Sequence, residues 1–185
     1  MINLQVNPIK VIFLDRDGTI IKDTGYPHKT NEMYFLPHSF DGLKKMKELG
    51  YVLFIITNQS GVSRGLFTES DYYNFTNHLL AELQKNGIEI EDVFQCFHTP
   101  ENNCNCRKPN TGMVNKLLNK NNIDLNKSFT IGDKKSDVDF GKNISTNTIL
   151  INSELENSYS IGTDQHYIAK NLLSAYNLIK NLYAS

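Results

Sequence analysis

The sequence has no apolar run approaching the ~20 residues that a membrane helix needs. Its first ten residues have no basic stretch leading into an apolar segment and a small-residue cleavage site. These absences predict a soluble, cytoplasmic chain. Charge of one sign is also lacking: 19 Lys and Arg stand against 20 Asp and Glu, a formal net charge of -1. A basic surface for nucleic acid or an anionic membrane is therefore not expected, and the predicted partner is a small molecule. Cysteine is scarce and odd in number, 3 in all. That suits reduced thiols or a metal site better than a disulfide framework. No repeat, low-complexity tract or linker divides the chain. Its 185 residues, 39% of them hydrophobic, predict one domain over residues 1–185, and a monomer is the default in the absence of a large apolar repeat.

What is present is a series of short apolar runs that end in polar residues. Residues 11–19 read V-I-F-L-D-R-D-G-T. Four apolar residues without alternation predict a strand buried on both faces of a parallel sheet, and ligands of such sheets bind beyond the carboxyl ends of the strands. If the extended backbone continues past the strand, Asp15 and Asp17 face one pocket while Arg16 points elsewhere. Residues 20–37 have no period and form a loop over the aspartates. Phe40, Leu43, Met46 and Leu49 predict a covering helix. Residues 51–56 form a second strand, which leads into Thr57-Asn58-Gln59-Ser60-Gly61. Thr68 and Asp71 resemble a capping box before a helix that buries Tyr72, Phe75, Leu79 and Leu83. Further strands are predicted over 93–97, 128–131 and 148–151, with helices around 113–118 and 172–182. This alternation predicts an α/β fold, a doubly wound, mainly parallel Rossmann-like sheet without a large cap domain.

Three strand ends thus carry Asp15 and Asp17, then Thr57 and Asn58, then Asp133. A carboxylate there can act as nucleophile if a cation suppresses its repulsion from an anionic substrate. Asp15 and Asp133 offer oxygen ligands to a hard cation such as Mg²⁺, Thr57 a hydroxyl, and Lys108 a positive charge. These parts suit phosphoryl transfer, where positioning and charge neutralisation do most of the catalysis. Taken singly, residues 57–61 are also an ordinary polar loop, Gly132-Asp133 a common turn, and Asp137 and Asp139 caps of the next helix. Their joint order is what makes the pattern specific.

All 3 cysteines lie in residues 96–106. Cys96, His98, Cys104 and Cys106 make a Cys₃His set, the donor set of a closed structural Zn²⁺ site, in a loop too polar to bury a core of its own. Arg107 and Lys108 follow the last ligand directly, so a metal-bound loop would fix two cations toward the strand ends. His28, His38, His78 and His166 lack such partners and read as surface residues.

The D-x-D-G-T stretch, Thr57, Lys108 and G-D-x-x-x-D at 132–137 resemble the haloacid dehalogenase-like phosphohydrolases. Within them the chain is similar to the D-glycero-D-manno-heptose 1,7-bisphosphate 7-phosphatase family, on F-L-D-R-D-G-T-I at 13–20, D-x-G-Y at 23–26, T-N-Q-S-G-x-x-R-G at 57–65, the zinc loop, C-R-K-P at 106–109 and G-D-K at 132–134. Phe97 stands where that family usually has Pro. The histidinol-phosphate phosphatases share the aspartates and have a similarly compact zinc loop, so they remain the alternative. A non-catalytic zinc-stabilised interaction module is a remote one.

The resemblance implies a Mg²⁺-dependent enzyme that removes the 7-phosphate of the heptose bisphosphate, in nucleotide-activated heptose biosynthesis for lipopolysaccharide or related glycans. It implies Asp15 as nucleophile and Asp17 as acid and base. Mg²⁺ would be held by Asp15, Asp133 and the backbone carbonyl of Asp17. Thr57 and Lys108 would stabilise the phosphoryl group, and Asp23, Thr24, Gly25, Tyr26, Asn58, Gln59, Ser60, Arg107 and Lys134 would contact substrate.

Overall fold

The computed structural model describes residues 7–154, 159–161 and 166–183, and the side chains of 159–161 and 166 are outside that description. The first six residues of the N-terminal leader reading and the His166 side chain therefore lie outside the described residues. The described strands are β1 (Lys10–Leu14), β2 (Tyr51–Asn58), β3 (Asp92–Cys96), β4 (Phe129–Gly132), β5 (Asn147–Ile151), β6 (Tyr159–Ile161) and β7 (His166–Ala169). The helices are α1 (Ser39–Glu48), α2 (Glu69–Lys85), α3 (Asn115–Lys120), α4 (Lys135–Asn143) and α5 (Leu172–Tyr183). One sheet joins the strands in the order β3-β2-β1-β4-β5-β7-β6. Every pairing is parallel except that of β6 with β7.

The unbroken apolar runs are explained by two cores, one on each face. Side chains alternate along a strand, so Ile12 and Leu14 of β1 enter one core with Leu53, Ile55, Phe75, Leu79 and Ala175. Val11 and Phe13 enter the other with Phe54, Ile56, Val114 and Phe140. Helices α1, α2 and α5 thus cover the first face, and the segment around α3 together with α4 covers the second. Burying Phe13 fully contributes about 1.5–3 kcal/mol relative to exposure.

Helix α2 starts at the predicted capping box: the Thr68 N–H donates to Asp71 at 2.9 Å, and the Asp71 N–H donates to Thr68 Oγ1 at 3.1 Å. Strand β2 runs two residues further than its apolar run, because Thr57 and Asn58 still pair with Gln95 and Cys96 of β3. Strand β3 ends one residue before Phe97, and Ser128 stands outside β4. The Ser128 hydroxyl instead accepts the Val11 N–H and donates to the Asp124 carbonyl. Strands β6 and β7, three and four residues long, are too short to show a period. Among the described residues no helix is long and apolar enough to cross a membrane.

Candidate active site

The carboxyl ends of β1, β2 and β4 meet around Lys108. Its ammonium lies 2.6 Å from Asp15, 2.6 Å from Asp137 and 2.7 Å from the Ile56 carbonyl, and the residue is buried. Two carboxylates outweigh the cost of burying one ammonium and hold its pKa above the usual lysine value. Burial pushes the Asp15 pKa up, against the pull of Lys108, and the nearby Asp137 pushes the same way. Asp137 also accepts the Lys134 N–H at 3.0 Å, so it caps α4 and grips the lysine at once. The capping half of its sequence reading holds; the second contact comes from a residue 29 positions away and has no local signal.

The backbone at residue 108 is clamped from β2. The Asn58 amide donates to the Lys108 carbonyl at 3.2 Å and accepts the Lys108 N–H at 3.0 Å. Gln59 donates to Thr57 Oγ1 at 2.8 Å and to Asp17 at 2.7 Å. Thr57, Gln59 and Ser60 are all buried.

Asp15 and Asp17 are held by different partners, Asp15 by Lys108 and Asp17 by Arg16 and Gln59. The chain bends at Arg16 rather than staying extended, and the Ile20 and Ile21 N–H groups both donate back to the Arg16 carbonyl. Arg16 consequently does not point away. It is buried, and its guanidinium holds Asp17 by two parallel bonds of 2.8 and 2.9 Å. Burial pushes the Asp17 pKa up, with Arg16 opposing.

Asp133, at the end of β4, has the features of an open cation ligand. One of its carboxylate oxygens is buried with no hydrogen-bond partner among the described residues. Burial, then the Asp15 charge, push its pKa up to about 7. Oxygens of Asp15, Asp133 and Asp137 all lie within 4.8 Å of one another. Three carboxylates around one buried ammonium leave a net charge of two negatives, the complement of a divalent cation. Gly18 is necessary here: a Cβ would stand 2.2 Å from Asp133, and its φ of +86° is one that side chains disfavour.

Beyond β3 the four predicted soft donors converge. Sulfurs of Cys96, Cys104 and Cys106 are 3.1 to 3.6 Å apart, and His98 Nδ1 is 3.5 Å from Cys96 and 3.2 Å from Cys106. A tetrahedron with metal–sulfur bonds of about 2.3 Å has edges only slightly longer, so the set fits zinc. Arg107 donates to the His98 carbonyl at 3.0 Å, which ties it to this knuckle.

Loop 23–28 forms one wall. Asp23 accepts the Gly25 N–H at 2.9 Å and pairs with Lys134 at 3.0 Å, a bridge from the loop to the end of β4. The backbone bond to Gly25 and the Lys134 charge outweigh partial burial and lower the Asp23 pKa. Thr24 is exposed, and Tyr26 has a φ of 59° with its ring 40% exposed. Side-chain atoms at Gly61 would collide with Phe67 at 2.2 Å and Tyr26 at 2.9 Å, so the 57–65 stretch packs directly under this wall. A cleft of about 600 Å³ opens beside it, lined by Gly18, Lys22, Asp23, Asp133, Asn152 and Lys170 among others. Asn152 and Lys170 follow β5 and β7. Sequence reasoning missed them because the C-terminal stretch shows only an apolar packing stripe; the rule that ligands sit at strand carboxyl ends is the signal that points there.

An aspartate at the end of the first strand, a buried lysine and an open carboxylate at the switch point of this sheet define the class: a haloacid dehalogenase-like phosphatase. A family model described as polynucleotide kinase 3 phosphatase matches residues 10–174. The chain is 40% identical over 146 residues to D-glycero-alpha-D-manno-heptose-1,7-bisphosphate 7-phosphatase of Photorhabdus laumondii, covering 75% of this chain and 80% of that protein. It is 34% identical over 180 residues to D-glycero-beta-D-manno-heptose-1,7-bisphosphate 7-phosphatase of Pasteurella multocida, covering 94% and 98%. A crystal structure of D,D-heptose 1,7-bisphosphate phosphatase from B. bronchiseptica complexed with magnesium and phosphate superposes with a TM-score of 0.81 at 23% identity, over 94% of this chain and 99% of that one. The chain belongs to the D-glycero-D-manno-heptose 1,7-bisphosphate 7-phosphatase family.

Proposed function

We propose that this protein removes the 7-phosphate of D-glycero-D-manno-heptose 1,7-bisphosphate through an aspartyl-phosphate on Asp15. The observation that carries the chemistry is the buried ammonium of Lys108 between Asp15 and Asp137, next to the unpartnered oxygen of Asp133. The substrate rests on the names of the relatives. A net charge of -1 supports a small sugar phosphate over a polynucleotide.

Lys108 holds one oxygen of Asp15, leaving the other to attack phosphorus in line while the bond to the sugar oxygen breaks. Asp17 gives its proton to the departing alkoxide. In the second half it takes a proton from the water that attacks phosphorus, and phosphate and free Asp15 result. Thr57 and Lys108 stabilise the charge on the transferring oxygens. Asp15, Asp133 and the Asp17 backbone carbonyl would hold a Mg²⁺ ion, which would supply neutralisation of the repulsion between nucleophile and substrate. Arg107, Lys134, Ser60 and residues 23–26 contact the sugar, with Asn58 and Gln59 supporting Lys108 and Asp17. Cys96, His98, Cys104 and Cys106 would hold a structural Zn²⁺, which would fix the segment leading to Lys108.

The test compares kcat/KM on heptose 1,7-bisphosphate, histidinol phosphate and a 3′-phosphorylated oligonucleotide, with Asp15→Asn as control. At least a tenfold preference for the heptose substrate and loss of turnover in the variant are expected. Equal or greater efficiency on either competitor overturns the substrate assignment, and wild-type turnover by the variant overturns the nucleophile.

A further inference from the structure

Arg16 is an expensive residue in its position. It is 1% exposed, and its guanidinium is faced by Phe75 at 4.8 Å and Tyr72 at 5.7 Å, both from α2. Nε and Nη2 are used on Asp17, and Nη2 also donates to the Pro27 carbonyl at 3.2 Å. Nη1 is buried with no hydrogen-bond partner among the described residues. A buried ion pair with an orphaned donor is a poor stabilising device, because apolar replacements of such pairs are often neutral or stabilising. What the arrangement does provide is geometry. Two parallel N–H groups fix the plane of the Asp17 carboxylate, Gln59 fixes one oxygen from the opposite element, and the aromatic rings fix the plane of the guanidinium.

The contact to Pro27 adds a second link. The N–H groups of one nitrogen serve both Asp17 and the backbone of loop 23–28, the wall that meets substrate. A displacement of that loop therefore reaches Asp17 through one rigid side chain.

We propose that Arg16 is a positioning residue that sets the orientation of Asp17 for proton transfer and couples it to the seating of loop 23–28. This rests on the reading of Asp17 as the acid. The role shows in the first half-reaction, with leaving groups that need a proton: a sugar alkoxide does, a nitrophenolate departs without one, and the proton that Asp17 takes from water in the second half is common to both substrates.

The experiment measures the single-turnover rate of aspartyl-phosphate formation, by rapid quench, for wild type, Arg16→Met, Arg16→Lys and Asp17→Asn on heptose 1,7-bisphosphate and on 4-nitrophenyl phosphate. Arg16→Met is expected to lose on the order of 10²-fold in that rate on the sugar phosphate and under about fivefold on the aryl phosphate. Arg16→Lys, with its charge but no fork, should recover only part of the sugar-phosphate turnover. Equal losses on both substrates, or none, overturn the proposal. If Arg16→Met does not fold, Arg16→Lys decides on the same ratio. Asp17→Asn separates the two levels: if it shows the sugar-selective loss and the Arg16 variants do not, only the role of Arg16 is overturned. Equal losses in Asp17→Asn overturn the acid and Arg16 together.

Discussion

Replacing Lys108 by Met removes its buried ammonium and keeps most of the stem. The lysine is 4% exposed and touches both Asp15 and Asp137 at 2.6 Å. Breaking a buried pair by deleting one partner costs about 3–5 kcal/mol, because the other charge is left uncompensated. Here two carboxylates are left, so the upper part of that range is expected near neutral pH without added metal. For a chain of this size each kcal/mol shifts the melting temperature by about 2–4 °C, so about 4–5 kcal/mol places the loss at roughly 8–20 °C. The sign of the pH dependence follows from the carboxylates. Burial already pushes the Asp15 pKa up against the pull of Lys108, so without the lysine it rises further, and the deficit grows as pH rises through that value and shrinks in acid, where Asp15 binds a proton. Thermal melts of wild type and variant at pH 5.5 and 8, with parallel phosphate-release assays, measure both effects. Turnover should fall at least about 10²–10³-fold, the usual cost of removing a preorganised charge donor. A variant that melts within 2 °C of wild type at both pH values, or keeps a fifth of its turnover, refutes the view of Lys108 as the electrostatic centre of the site.

Two further outcomes follow from the groups proposed to hold metal. Asp133 has a folded-state pKa raised to about 7, so the metal-free fold holds a proton there that the unfolded chain has already lost. Its contribution to stability is therefore favourable in acid and declines between about pH 4 and 7, whereas Mg²⁺ must displace that proton. The rise in melting temperature on adding Mg²⁺ should accordingly be larger at pH 8 than at pH 6, and an equal rise at both argues against Asp133 as ligand. For the knuckle, one equivalent of zinc per chain is expected by elemental analysis, and Cys96→Ser should lose it together with several kcal/mol of stability and most of the turnover, since Lys108 lies two residues beyond Cys106. Full activity in zinc-free protein rules out the coupling.

The legible parts of the molecule were those governed by burial or by short-range order. Four unbroken apolar residues at 11–14 demand two covered faces, and two cores are present. The box at Thr68 and Asp71 is complete within four residues. The Cys₃His set was legible because its chemistry depends on residue type alone. Arg16 was misread because a strict alternation was extended past the strand, whereas the chain bends there and turns the guanidinium onto its neighbour. Asp137 and Asn58 were ambiguous for another reason: their decisive partner is Lys108, which lies on a different connection, and nothing local distinguishes a helix cap from a cap that also grips a lysine.

The clamp on Lys108 has a consequence for how such a scaffold can diversify. Both flanks of residues 99–103 are tied down, by Cys96 and His98 on one side and Cys104 and Cys106 on the other, while Asn58 holds the lysine backbone from beneath. Between them, the single turn at Pro100–Asn102 has no buried residue, and Asn103 leaves it with a left-handed φ of 45°. The turn stands beside the 57–65 stretch, where Glu101 pairs with Arg64 at 3.8 Å. Its length is thus free to drift while Lys108, a few residues further along the same stretch of chain, keeps its place.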